Sequence, residues 1–219
     1  MLGIFSITQQ GVSGAILQMV NHGISTGALF LLVGVIYERR HTRLLSEFGG
    51  LAKVMPLYTL IFVIVTMSSV GLPGTNGFIG EFMILNGTFV SDRLPTPFFF
   101  ALLAGTGVIL AAVYMLHAVL KMFWGPLTNP ENAHLPDVGR RELTLLLPLT
   151  VLIFVLGFFP GMFLEKMNPS VDGFLSSYRQ KLVDSAQDDS VRMWKSAQVL
   201  EAEKTKQLAL ADERGGDLR

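Results

Sequence analysis

The sequence predicts an all-α membrane protein with about four transmembrane helices, one of them discontinuous at Pro73. Three observations carry that prediction. Half of the 219 residues (50%) are hydrophobic and only 16% are charged, with a mean hydropathy of +0.48. The apolar residues fall in runs of the ~20 residues that a helix needs to cross a hydrocarbon core of ~30 Å. The tract from about Pro56 to Val90 runs to ~35 residues, and as one straight helix it would rise ~52 Å. It carries its own interruption, GLPGTNGFIGEFMIL from Gly71 to Leu85.

In chain order, Met1 to Gln10 is too short to span and reads as the end of a helix. No basic segment precedes it, so the chain reads as beginning within a membrane domain. Gly11 to Tyr37 is the first full span, rich in the small residues that let membrane helices pack closely. It ends in the basic stretch Glu38-Arg39-Arg40-His41-Thr42-Arg43. The broken tract follows. Pro73 cannot donate to the Ser69 carbonyl and crowds it, and Gly71, Gly74, Gly77 and Gly80 are expected to loosen the same turns. Ser91 to Pro97 is a proline-marked turn. Phe98 to Phe123 is the next span, closed by Trp124 as an interfacial aromatic. Gly125 to Glu142 is a polar loop, and Leu143 to Leu164 is the last span, with Pro148 a candidate kink. This divides the chain into a transmembrane domain, 1–170, and a polar tail, 171–219. Within the tail, Val191, Trp194, Val199 and Leu200 are interleaved with charge, as in a surface amphipathic helix.

Three residues stand out chemically. Glu81 lies just past the break in a tract that otherwise lacks charge. An acid kept inside a membrane is costly and is by default a functional candidate, and loosened backbone at that depth is tolerated where it lines a cavity or is buried in protein. His22 lies near the middle of the first span; it reads either as a satisfied structural histidine or as a proton relay. Lys121, four residues beyond His117 on one helical face, reads either as a snorkelling interfacial lysine or as the mouth of a proton path.

The charge balance is even, with 17 basic and 17 acidic residues, and gives no indication of nucleic acid. The sequence contains no cysteine, which excludes a disulfide framework, a thiolate metal site and an iron–sulfur cluster held by this chain. Lys and Arg in the short loops set orientation. Arg39, Arg40, Arg43 and Lys53 follow the first span, and Lys121, Arg140 and Arg141 precede the last. Those two loops are expected on the cytoplasmic side or its equivalent, and the tail on the other.

Asn21 to Arg43, NHGISTGALFLLVGVIYERRHTR, and the block GLPGTNGFIGEFMIL resemble the chain 4 or subunit M family of the proton-pumping NADH:quinone oxidoreductase, respiratory complex I. The likeness runs over residues 1 to about 170. It implies an antiporter-like helix bundle of which this chain matches the C-terminal part, the broken tract corresponding to the family's twelfth helix. The resemblance further implies a proton path in which Glu81 is the terminal acid/base, His22 a relay on the central hydrophilic axis and Lys121 a basic position. A carboxylate out of water resists ionisation and a nearby cation restores its charge, so moving a cation would drive proton uptake and release. The first half-channel's Glu/Lys pair and the central lysine of the family have no counterpart here. The implied partners are the other membrane subunits of complex I and the lipid bilayer. NADH, FMN, iron–sulfur clusters and quinone would be held by partner subunits, with no cofactor in this chain. The implied location is the bacterial inner membrane. A subunit of a multisubunit sodium/proton antiporter, with a similar broken helix, is the alternative, and a structural membrane scaffold is another.

Overall fold

The structure, a computed structural model, describes residues 1–216, with side chains described through 194 and at 196, 198, 200 and 201. The described residues form seven α-helices: α1 (Leu2–Phe5), α2 (Gln9–Arg40), α3 (Pro56–Ser69), α4 (Asn76–Phe89), α5 (Pro97–Phe123), α6 (Arg140–Phe158) and α7 (Gly161–Gly216). Among them α2, α5 and α6 are long and apolar enough to cross a membrane. Helices α3 and α4 have 14 residues each and rise only ~21 Å apiece, so they make one discontinuous span between them. The all-α reading with four spans, one broken, therefore stands.

The elements begin and end where local chemistry directs. The Thr8 side chain accepts from the Gly11 N–H at 3.1 Å and caps α2. At the other end His41 turns left-handed (φ 51°) and its N–H returns to the Tyr37 carbonyl. Pro residues open α3 and α5, where a missing N–H costs nothing. The free N–H groups of Leu57 and Tyr58 at the start of α3 donate to the Asp137 carboxylate at 2.8 and 3.0 Å. That cap comes from the loop before α6, so it fastens a distant segment to the helix end.

The core lies among α2, α3, α6 and the last turns of α5. Leu32, Met55, Tyr58, Phe123 and Ile153 are fully buried there, and the Tyr58 hydroxyl donates to the Leu32 carbonyl at 2.9 Å. Helices α2 and α4 approach closely on glycine. A methyl group on Gly14 would sit 2.6 Å from Met83 Cβ, and one on Gly87 would strike the Gly11 backbone. This is the close packing through small residues typical of membrane helices. At the loop end, Arg39 donates to both carboxylate oxygens of Glu142 (2.7 and 2.8 Å) and to the carbonyls of Val35, Pro136 and Asp137. Arg40 pairs with Glu131. Two arginines of the basic stretch therefore tie α2 to the α5–α6 loop, besides any part they play in orientation.

One boundary differs from the sequence reading. The last span was expected to continue through Leu164, but α6 ends at Phe158. Pro160 disfavours helical backbone at the residue before it, and Phe159 takes up φ −126°, ψ 51°. The flanking residues are apolar, so hydropathy alone does not mark the stop. Pro148 lies within α6 without ending it.

Residues Met1–Asp172 form one compact unit and the chain from Gly173 a second. The second is the continuation of α7. Of the apolar residues expected on an amphipathic face there, Val191, Trp194 and Leu200 are exposed, and Val199 lies outside the described side chains.

Candidate functional site

The interruption between α3 and α4 is built from two defined turns. Helix α3 closes with the Leu72 N–H on the Met67 carbonyl (3.0 Å) and the Gly71 N–H on the Ser68 carbonyl (3.2 Å). This is the paired 6→1 and 5→2 pattern that needs a left-handed residue after the C-cap, and Gly71 supplies it at φ 75°. Leu72 to Thr75 then form a β-turn. The Thr75 N–H donates to the Leu72 carbonyl at 3.1 Å, Pro73 takes the first central position, and Gly74 the second at φ 91°. The break thus starts at Gly71, and Pro73 continues it.

Gly77 and Gly80 are helical residues of α4 and do not loosen it. A methyl group on Gly77 would collide with the Ser68 carbonyl, and one on Gly80 with the Gln18 side chain. Their function is close approach, which draws α4 onto α2 and onto the end of α3.

Glu81 lies on α4, one turn after the N-terminus, and is half-buried. Its carboxylate rests against Gly71, where a Cβ would stand 2.5 Å from Oε2. Gln18 Nε2 of α2 donates to Glu81 Oε1 at 3.4 Å. Asn21 Nδ2 donates to Gln18 Oε1 (3.3 Å) and to the Asn76 carbonyl (2.7 Å). The Asn76 side chain in turn meets Ser25 and Ser68, whose hydroxyls lie 2.9 Å apart. A continuous chain of hydrogen-bonding groups therefore leads from Glu81 through Gln18 and Asn21 to the broken end of α3. A cavity of about 60 Å³ adjoins it, a volume that admits water.

His22 lines the same cavity. It is exposed, and its Nδ1 lies 3.0 Å from the Thr26 hydroxyl one turn on. Lys121 is exposed on α5, whose helix neighbours are α3 and α4; no hydrogen bond or ion pair joins it to the Glu81 cluster. The fold thus brings Glu81 and His22 to one polar seam and leaves Lys121 apart. Gln18, Asn21, Ser25, Ser68 and Asn76 were not singled out from sequence. Gln18, Asn21 and Ser25 stand at i, i+3 and i+7 of an apolar helix, and that polar stripe is the signal that marks them. Among the described residues no three of His, Asp and Glu converge as a metal site.

A family model described as NADH:quinone oxidoreductase/Mrp antiporter, TM, matches residues 1–110. Subunit M of the NADH-quinone oxidoreductase of Rhodobacter capsulatus is 43% identical over 186 residues, which cover 85% of this chain and 35% of that protein. Chain 4 of the NADH-ubiquinone oxidoreductase of Marchantia polymorpha is 39% identical over 174 residues, 80% of this chain and 34% of the relative. The chain therefore spans about a third of the length of the curated relatives it matches. Among solved structures, a chain of respiratory complex I from Thermus thermophilus with bound NADH superposes with a TM-score of 0.72 at 35% identity, covering 80% of this chain and 36% of that one. A chain of the Mrp complex from Dietzia sp. gives 0.67 at 23% identity over 77% of this chain and 39% of that one, a likeness of fold alone.

Proposed function

Because this chain belongs to the NADH:quinone oxidoreductase/Mrp antiporter transmembrane family, we propose that it acts in the membrane arm of an NADH:quinone oxidoreductase and contributes to proton translocation coupled to electron transfer from NADH to quinone. The observation that carries this reading is the seating of Glu81. It is an acid in an otherwise uncharged tract, held against the helix break by a polar chain from α2. Holding an acid at membrane depth costs ~2.5–3.5 kcal/mol on the insertion scale for Asp, and a scaffold has no use for that cost.

In this reading Glu81 accepts and releases the proton and His22 passes it along the seam; Lys121, exposed on α5 and apart from that seam, is proposed only as a basic entry position and has no contact with it here. Gln18 fixes the carboxylate: its Oε1 accepts from Asn21, so its amide hydrogens are directed to Glu81. The cavity beside Gln18 and His22 gives water a place next to the relay histidine and the residue that holds Glu81. The redox groups (NADH, FMN, iron–sulfur clusters and quinone) belong to partner subunits, in keeping with a chain that has no cysteine to ligate a cluster. The other membrane subunits of the complex and the bilayer are its partners, and the bacterial inner membrane its location. Residues 1–170 are the transmembrane domain and 171–219 a polar tail.

The test is Glu81→Gln within the complete complex, with NADH oxidation and proton uptake followed together in vesicles. Gln keeps size and hydrogen bonding but does not titrate. Assembly should be intact, with coupled turnover and pumping sharply lowered. Glu81→Asp should retain partial activity, and His22→Ala should do milder damage, because water can bridge a relay position. Pumping by the Gln variant at the normal proton-to-electron ratio means that Glu81 is structural. Sodium-driven exchange without dependence on NADH would assign the chain to the antiporter branch.

A further inference from the structure

We propose that Asn21 is a positioning residue for Glu81. It sets which way the Gln18 amide faces, and through Gln18 the hydrogen bond that holds the carboxylate. Its effect on turnover rests on the proton-transfer reading; the direction of the amides does not.

That direction starts at a backbone carbonyl. Asn21 is 1% exposed, and its Nδ2 lies 2.7 Å from the Asn76 carbonyl. A carbonyl has no hydrogen to give, so the Asn21 side chain has to meet it with the NH2 group. That group carries two hydrogens. The second goes to Gln18 at 3.3 Å, and the Gln18 atom that accepts it has to be Oε1. Gln18 then turns Nε2 toward Glu81, at 3.4 Å from Oε1 of the carboxylate. Reversing Asn21 would set its Oδ1 against the Asn76 carbonyl, oxygen on oxygen. Reversing Gln18 would present a carbonyl to a carboxylate. Each amide is therefore directed by the one before it. Only the donor half of Asn21 is in use, since its enclosed Oδ1 meets no donor among the described residues.

Gly80 supplies the space for this relay of direction. A methyl group there would collide with Gln18 Oε1 and stand 3.1 Å from Asn21 Nδ2. Those are the two atoms through which one amide directs the other. The relay also begins and ends on α4, at Asn76 and Glu81, and crosses to α2 between them. The acid is thus held by α2 in a direction that the first residue of its own helix sets. Amide side chains do not titrate, so neither Asn21 nor Gln18 carries the proton; both hold the group that does.

The test is infrared difference spectroscopy of the complete complex between acid and alkaline pH, with the Glu81 carboxyl band assigned by its loss in Glu81→Gln. Gln18→Leu should shift that band. Asn21→Leu, which keeps size and adds no charge, should shift it by the same amount. Gly80→Ala leaves every polar group in place and should shift the band by displacing Gln18 Oε1, so it decides the question even where Asn21→Leu fails to assemble. A band unmoved by Asn21→Leu or by Gly80→Ala overturns the proposal. Coupled turnover gives a second readout. Asn21→Leu and Gln18→Leu should each lower it at least about threefold, the worth of one hydrogen bond between membrane helices, and together no further than Gln18→Leu alone. Losses that multiply mean that Asn21 acts apart from Gln18, and they overturn the proposal as well. Normal pumping by Glu81→Gln would end the proton-transfer reading and leave the band shifts to judge the amides.

Discussion

Gly71 is where backbone conformation and the acid meet, so Gly71→Ala is the most informative single change. Two costs are separable. The left-handed conformation at φ 75° costs a residue with a Cβ about 1–2 kcal/mol. The new methyl would also stand 2.5 Å from Glu81 Oε2, well inside contact distance, so the carboxylate has to leave Gln18. Loss of that hydrogen bond to a carboxylate adds ~1.5 kcal/mol, the low end of the range because Glu81 is only half-buried. Gly71→Ala should therefore destabilise by about 2–4 kcal/mol in denaturant unfolding of the detergent-solubilised chain. In the Glu81→Ala background the collision is gone and only the conformational cost remains, so the double-mutant cycle should return a coupling of ~1 kcal/mol or more. Gly71→Asn divides the costs the other way. Asn tolerates the left-handed region but still brings a Cβ, so it should be milder than Ala while keeping the coupling to Glu81. A Gly71→Ala protein as stable as the original, or additive effects of the two sites, would refute the packing of the carboxylate against the turn.

Asp137→Ala should leave the Leu57 and Tyr58 N–H groups without a cap and cost ~1 kcal/mol, visible as faster hydrogen exchange confined to the first turn of α3. Arg39→Leu and Glu142→Leu should each destabilise by several kcal/mol, because each strands a partly buried charge, while the double replacement should cost less than either; unfolding of all three proteins checks the order. The chain should remain in the membrane pellet after a carbonate wash, which strips peripheral proteins. From the loop charges, protease should clip the chain after Arg179 from the outer side and spare Gly125 to Glu142; the reverse pattern inverts the topology.

The spans were legible because hydrocarbon thickness sets a length scale that an apolar run either meets or does not. The break was legible because Pro73 and the glycines around it cannot continue a helix cheaply. What escaped was whatever depends on a second helix. Gly77 and Gly80 look like weak points when read along the chain, and only the position of Ser68 and Gln18 across the contact turns them into contact points. Lys121 shares a face with His117, but sequence spacing fixes a face and not the neighbour it meets. Gln18 and Asn21 were hidden in a span whose small and polar residues read as packing. The stop at Phe158 was masked because Phe159, Met162 and Phe163 prolong the apolar run past the proline that ends the helix.

Gly157 gives the broken span a mechanical constraint. Helix α6 presses there on the Gly74 carbonyl and the Thr75 backbone, leaving no room for so much as a methyl group. The same turn bears on the Glu81 carboxylate at its other end, through Gly71. The turn therefore lies between a neighbouring helix, packed against it at Gly157, and the half-buried Glu81 carboxylate, close to it at Gly71. Close-packed contacts yield by discrete repacking, so a displacement of α6 toward the turn is divided between the turn's exposed residues Leu72 and Pro73 and the contact of Gly71 with Glu81. The same turn thus links the contact that holds the acid to the contact that seats α6.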